Sequence, residues 1–233
     1  VMEELGIGKG TPGFVDYYQI QKKIPVDFSP VNGVMMITLR EVLAAARHFG
    51  LKADESIVIF GAGAVGLSFA KMARILGMSL VILVDVQGEK RADAQQVGAD
   101  LFIDSSCEDV EKLVREICPE GVDYILDAVG VNEIINTGMG LIRNCGKILV
   151  YGISPTLGMN IRWDKAPYNW SVQFFQYPEK EEEAAAHEQM VSWVRQGIID
   201  PQMFISHVFS FDDILEGFLL FESGSSTKKI VIT

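Results

Sequence analysis

The sequence predicts an α/β protein built on a doubly wound parallel sheet. Two observations carry that expectation. From Ser56 onward, short apolar runs alternate with amphipathic stretches, strand then helix, four times over, and a fifth strand closes the series. The strand runs, such as "SIVIF" and "SLVILVD", are apolar at successive positions rather than alternate ones. That is the pattern of strands covered on both faces. Right-handed crossovers then place helices on both sides of the sheet.

The elements follow in order. Residues 1–35 read as irregular: Gly6, Gly8, Gly10, Pro12 and Gly13 punctuate the start, and "FVDYYQI" is a short strand candidate. Pro25 and Pro30 make "KKIPVDFSPVNG" loop-like. From Thr38 to Phe49, Leu39, Val42, Leu43 and Ala46 share one helical face, and Gly50 is a helix stop. The alternating units come next. "SIVIF" leads to the helix "AVGLSFAKMARILG", and "SLVILVD" to "GEKRADAQQVGA". "LFIDS" leads to "CEDVEKLVREIC", and "VDYILDAVG" to "NEIINTGMGLI". "GKILVYGI" is the fifth strand. After Gly152 the alternation breaks. "MNIRW" and "WSVQFFQY" are strand candidates, "EKEEEAAAHEQMVSWVRQG" and "FSFDDILEGFLLFESGS" are helices, and "KKIVIT" is a last strand. The acidic start of the first of these helices suits its positive dipole end.

Composition narrows the function. The chain has 233 residues, 48% hydrophobic and 22% charged, which suits a folded core. Asp and Glu outnumber Lys and Arg by 31 to 20, a net charge of −11. A cationic groove for nucleic acid is not expected. No apolar run reaches the roughly 18 residues of a membrane span, and the N-terminus lacks a signal-peptide pattern. Cys107, Cys118 and Cys145 form no close pair, which fits small hydrophobes in a reducing cytoplasm.

The chemistry concentrates in "ESIVIFGAGAVGLSFAKMARILGMSLVILVD". Gly61, Gly63 and Gly66 form G-x-G-x-x-G between a strand and a helix, and Asp85 closes the next strand. Gly61 permits the tight turn, Gly63 lets backbone approach a pyrophosphate, and Gly66 brings helix and strand together. The helix N-terminus then attracts phosphate. Asp85 is placed to accept both adenosine ribose hydroxyls and to repel a 2′-phosphate, so NAD is expected over NADP. Lys90 and Arg91 soften that preference. Two readings compete: glycines serving only a tight turn, and a methyltransferase. The latter's glycine loop commonly follows an acidic residue, where this chain has "IVIF".

Together "GAGAVGLSFAKMARILG", "VGAD", "DYILDAVG", "GKILVYGI" and "FSFDDILEGFLLFESGSSTKKIVIT" resemble the medium-chain dehydrogenase/reductase family. The zinc-type alcohol and polyol (sorbitol-like) dehydrogenases are the nearest branch. The resemblance implies a Rossmann domain at 36–176, a remnant of the GroES-like catalytic domain at 1–35, and a returning segment at 177–233 that packs on the catalytic domain. It also implies site residues. Gly61, Ala62, Gly63, Ala64, Val65 and Gly66 would lie at the pyrophosphate, with Val65 behind the nicotinamide. Asp85 and Lys90 would sit at the adenosine ribose, and Ala128, Val129 and Gly130 along the adenine and ribose side. Tyr151, Gly152 and Ile153 would offer backbone groups to the carboxamide. Lys228, or Lys229 one register on, would reach the pyrophosphate.

The departures from the family are as informative. Family members are longer, and their upstream zinc ligands and four-cysteine lobe have no counterpart here. The last catalytic ligand would fall at Met36 or Ile37, neither a zinc donor. His48, His187 and His207 show no metal-ligand spacing; His207, in "ISHVF", matches a family turn. The expectation is therefore an NAD-binding portion of a dehydrogenase, without metal or catalytic residues and inactive alone. A zinc-free quinone-reductase-like enzyme and a non-catalytic NAD-binding module are the alternatives. In the family, the strand at 169–176 pairs across a two-fold axis, so a homodimer through that edge is expected. An internal strand covered by the C-terminal helices is the competing reading.

Overall fold

The computed structural model describes residues 21–233. The strand candidate "FVDYYQI" lies outside the described residues. The first helix, α1 (Pro30–Phe49), begins well before Thr38. The Ser29 hydroxyl accepts the Asn32 N–H at 3.1 Å, and Pro30 stands at the first helical position. The apparent loop signal of Pro30 is thus a helix start, because proline's missing N–H is spare there and its φ is already helical. Gly50 ends the helix in the left-handed region, at φ 70°.

Six strands build the main sheet: β1 (Ser56–Phe60), β2 (Leu80–Asp85), β3 (Leu101–Asp104), β4 (Val122–Asp127), β5 (Ile142–Val150) and β6 (Trp170–Phe174). Their spatial order is β3-β2-β1-β4-β5-β6, and every pairing is parallel. The order reverses between β1 and β4, which opens a crevice at their carboxyl ends.

The continuous apolar runs are explained by two cores. Ile57, Ile59, Val81, Leu83, Leu126 and Leu149 face the layer of α1 and α2 (Ala64–Ile75). Val58, Phe60, Ile82, Val84, Ile125 and Ile148 face the opposite layer. That layer holds α4 (Val110–Ile117) and α5 (Glu133–Met139), which contribute Val114, Ile135 and Met139. Successive residues point to opposite faces of a strand, so both registers must be apolar. The helix α3 (Arg91–Gln96) joins β2 to β3.

"MNIRW" is not a strand. The Asn136 side chain takes the place of a neighbouring strand there: its amide donates to the Asn160 carbonyl at 3.0 Å and accepts the Arg162 N–H at 3.0 Å. "WSVQFFQY" does contain a strand, β6, which occupies the end of the sheet. Val172 and Phe174 are exposed on it. "ISHVF" is not a turn but strand β7 (Ile205–Phe209), paired in parallel with β8 (Lys229–Ile232). Helix α7 (Ile214–Glu222) links the two.

Helix α6 (Lys180–Arg195) packs on α1. Between them the Arg40 Nε lies 2.5 Å from the Glu183 carboxylate, and both side chains are nearly inaccessible. His187 is buried beside them, with Nδ1 lacking a hydrogen-bond partner among the described residues. Burial and the Arg40 charge hold its pKa below the ordinary value. The unfolded chain therefore takes up the proton first as pH falls. The stability tied to neutral His187 is complete above about pH 6.5 and is lost below it. Thermal melts across this range are expected to show a steeper acid loss in wild type than in His187→Gln. Parallel slopes would refute this.

Candidate functional site

The site grows from the turn after β1. Gly61 has φ +100°, and its N–H donates to the Val84 carbonyl at 2.8 Å. A Cβ on Gly61 would meet Val129 Cγ2 at 2.7 Å. Gly63 precedes α2 with no side-chain cap, so the first N–H groups of the helix face the crevice uncapped. A Cβ built on Gly63 finds nothing within 4 Å. A Cβ on Gly66 would collide with the Gly61 carbonyl. The three glycines thus have separate reasons: a backbone conformation, open space, and close packing.

Asp85 ends β2 at the same edge. Its Oδ2 accepts the Ala62 N–H at 2.7 Å and the Lys90 ammonium at 3.0 Å. Its Oδ1 accepts the Gln87 N–H at 3.0 Å. The carboxylate therefore fastens the glycine turn as well as facing the crevice. Arg91 turns away: it donates to the Phe102 carbonyl at 2.8 Å and to Glu108 at 3.1 Å.

Two cavities flank the turn. One, of about 710 Å³, is lined by Gly61, Gly63, Asp85, Lys90, Ala128 and Val129. The other, of about 560 Å³, is lined by Gly63, Ala64, Val65, Gly66, Lys90 and Ala128, and on its far wall by Lys228 and Lys229. Phe218, Phe221, Ser226 and Thr227 complete that wall. These four were not singled out from sequence. "SGSST" before "KKIVIT" was the available signal, a short polar link between a helix and a strand. The Lys228 ammonium rests on Asp93 at 2.9 Å, and the Gln87 amide donates to the Gly224 carbonyl at 3.1 Å.

Ala62, Gly130, Tyr151, Gly152 and Ile153 line neither cavity. Ala62 is buried beneath the turn. Gly130 has φ +91°, and its N–H donates to the Asp127 carboxylate at 2.8 Å. The N–H groups of Tyr151 and Gly152 both donate to the Asp127 carbonyl. The Gly152 carbonyl accepts the Gln176 amide at 2.6 Å. The Tyr151 ring packs edge-on against Phe69, and Ile153 is exposed.

The zinc implied by the family does not fit the described residues. Among them no group of three or more His, Cys, Asp or Glu side chains could hold a metal ion. Met36 is fully buried within α1 and Ile37 is half-exposed on it. His48 stacks on Phe175 at 3.6 Å with its Nδ1 3.0 Å from Glu182, and His207 stacks near Phe209. Among the described residues no helix is long and apolar enough to cross a membrane.

Comparison with known proteins agrees with this geometry. A family profile described as zinc-binding dehydrogenase matches residues 64–177. L-threonine 3-dehydrogenase of Mesorhizobium japonicum is 29% identical, over 97% of this chain and 66% of its own length. The chain thus spans about two thirds of the curated relatives it matches. Benzyl alcohol dehydrogenase of Acinetobacter calcoaceticus superposes with TM-score 0.76 at 25% identity, over 91% of this chain and 59% of that one. A protein of Sinorhizobium meliloti 1021 described as a zinc-binding dehydrogenase bound to NADP superposes with TM-score 0.71 at 26% identity, over 84% and 57%.

Proposed function

Because the chain belongs to the medium-chain dehydrogenase/reductase family, we propose that it is the coenzyme-binding portion of an oxidoreductase. The reaction would move hydride between an alcohol or polyol and NAD(H). The division at 36–176, with flanking segments 1–35 and 177–233 belonging to the catalytic side, is part of this reading. The carrying observation is the open space over Gly63 beside the uncapped start of α2. An anion binds there through backbone N–H groups and the helix dipole. Gly61 to Gly66 hold the diphosphate, and Asp85 with Lys90 hold the adenosine ribose. Ala128 and Val129 cover the adenine side, and Val65 backs the nicotinamide. When bound, the nicotinamide supplies the hydride chemistry. The described residues bind and orient it. Polarising the substrate oxygen falls to groups other than these, since no zinc donor set stands among them.

NAD is preferred over NADP because the Asp85 carboxylate faces the crevice while Arg91 is engaged on Phe102 and Glu108. A 2′-phosphate would meet Asp85, with Lys90 the one counter-charge lining that cavity among the described residues. Titration with NADH is expected to raise nicotinamide fluorescence to saturation. No binding at millimolar cofactor would sink the proposal.

The same reading gives β6 as a dimer seam. Val172 and Phe174 stand exposed on an edge strand whose inner side already pairs with β5, and unpaired apolar edges invite a second copy. Light scattering should show a dimer for wild type and a monomer for Val172→Pro. Equal masses would remove the seam.

A further inference from the structure

The chain from Gly224 to Lys229 crosses the crevice as a strap between α7 and β8. It supplies Ser226, Thr227, Lys228 and Lys229 to the wall opposite the glycine turn. Two side-chain bonds tie it to the β2–α3 region, Gln87 to the Gly224 carbonyl and Lys228 to Asp93. The second is a sheltered ion pair, its side chains 13% and 20% exposed. Two lysines of this cavity are matched with carboxylates. Lys90 rests on Asp85 at 3.0 Å, and Lys228 rests on Asp93 at 2.9 Å.

A diphosphate entering this cavity meets ammonium groups that already have partners. Asp85 has two backbone N–H donors besides Lys90. Lys228 and Asp93 are held together by each other's charge, and Asp93 retains access to water that can solvate it when the pair opens.

We propose that Asp93 is a placeholder carboxylate: it holds Lys228, and with it the strap, across the crevice before cofactor arrives, and yields the ammonium to the cofactor's diphosphate on binding. The proposal rests on the reading of the crevice as a dinucleotide site. Its consequence is that Asp93 opposes ligands with a diphosphate and ignores ligands without one.

The test is calorimetric titration of NADH, ADP and adenosine into wild type, Asp93→Asn, Asp93→Ser, Lys228→Met and the Asp93→Asn/Lys228→Met double variant, at low salt. Both Asp93 variants are expected to bind NADH and ADP about three- to tenfold more tightly, the range of a partly sheltered ion pair, with adenosine unchanged. Lys228→Met should weaken NADH and ADP alone. In the double variant the gain from Asp93→Asn should vanish. The proposal is overturned if the Asp93 variants bind diphosphates no better than wild type. It is also overturned if adenosine tightens equally, or if the gain survives without Lys228. Wild type that binds neither NADH nor ADP overturns the dinucleotide reading and the placeholder together. Binding without Asp93 dependence overturns the placeholder alone.

Discussion

Gly63→Ala is expected to leave the fold intact and remove cofactor binding, whereas Gly66→Ala is expected to damage the fold itself. The two positions differ in what surrounds an added methyl group. At Gly63 the backbone is extended, with φ −79° and ψ −176°, which any residue adopts, and nothing lies within 4 Å of the new atom. The melting temperature should hold or rise slightly, because alanine restricts the unfolded chain more than glycine does. On the proposed reading the methyl fills the space through which a diphosphate would approach the N–H groups of α2, so NADH affinity should fall at least about tenfold. At Gly66 the methyl meets the Gly61 carbonyl, a backbone atom that cannot swing aside. Helix and strand must separate, at a cost of about 2–4 kcal/mol. Melting and NADH fluorescence measured on both variants settle this. An unstable Gly63→Ala, or a Gly66→Ala with wild-type melting, would reject the division of labour.

The second large effect concerns Asp85→Asn. The side chain keeps its shape, so one amide oxygen can still accept a backbone N–H. What disappears is the charge that repels a 2′-phosphate and holds Lys90. NADH is expected to bind about tenfold more weakly, as for loss of a charge-assisted hydrogen bond to ribose. NADPH should bind more tightly, with the released Lys90 ammonium pairing the phosphate. The measurement is the ratio of the two dissociation constants. A ratio equal to that of wild type would deny Asp85 its part in coenzyme choice. A melting point lowered modestly is expected as well, because Asp85 also fastens Ala62 and Gln87.

The parts legible in sequence were those fixed by short-range rules. β1 through β4 stand where their apolar runs predict, because a strand covered on both faces can carry no polar register, whereas β5 starts four residues before "GKILVYGI", at Ile142, through the polar stretch Arg143–Cys145 that gave no strand signal. The glycine turn was legible because its three glycines answer to local constraints. What escaped depends on partners distant in sequence. "MNIRW" has strand-like alternation, yet the Asn136 side chain takes its backbone bonds. "ISHVF" pairs with β8, so its strand character needed "KKIVIT" to be placed beside it. Pro30 differs for another reason: a proline is a loop signal by composition but also suits the first helical position, and the Ser29 cap before it decides for the helix. In the site, the Lys228–Asp93 pair joins residues far apart in the chain and carried no sequence signal.

Helix α1 bears on how the molecule can move. It runs unbroken through positions 35 and 36, and its 20 residues make a rod about 30 Å long. It is wedged between α2 and α6 over a fully buried apolar face. Such a rod transmits rotation and does not absorb it. From Pro30 onward the helix therefore turns with the sheet as one lever. Were a catalytic body joined to this platform, a hinge between the two would not sit at the helix that spans the expected boundary.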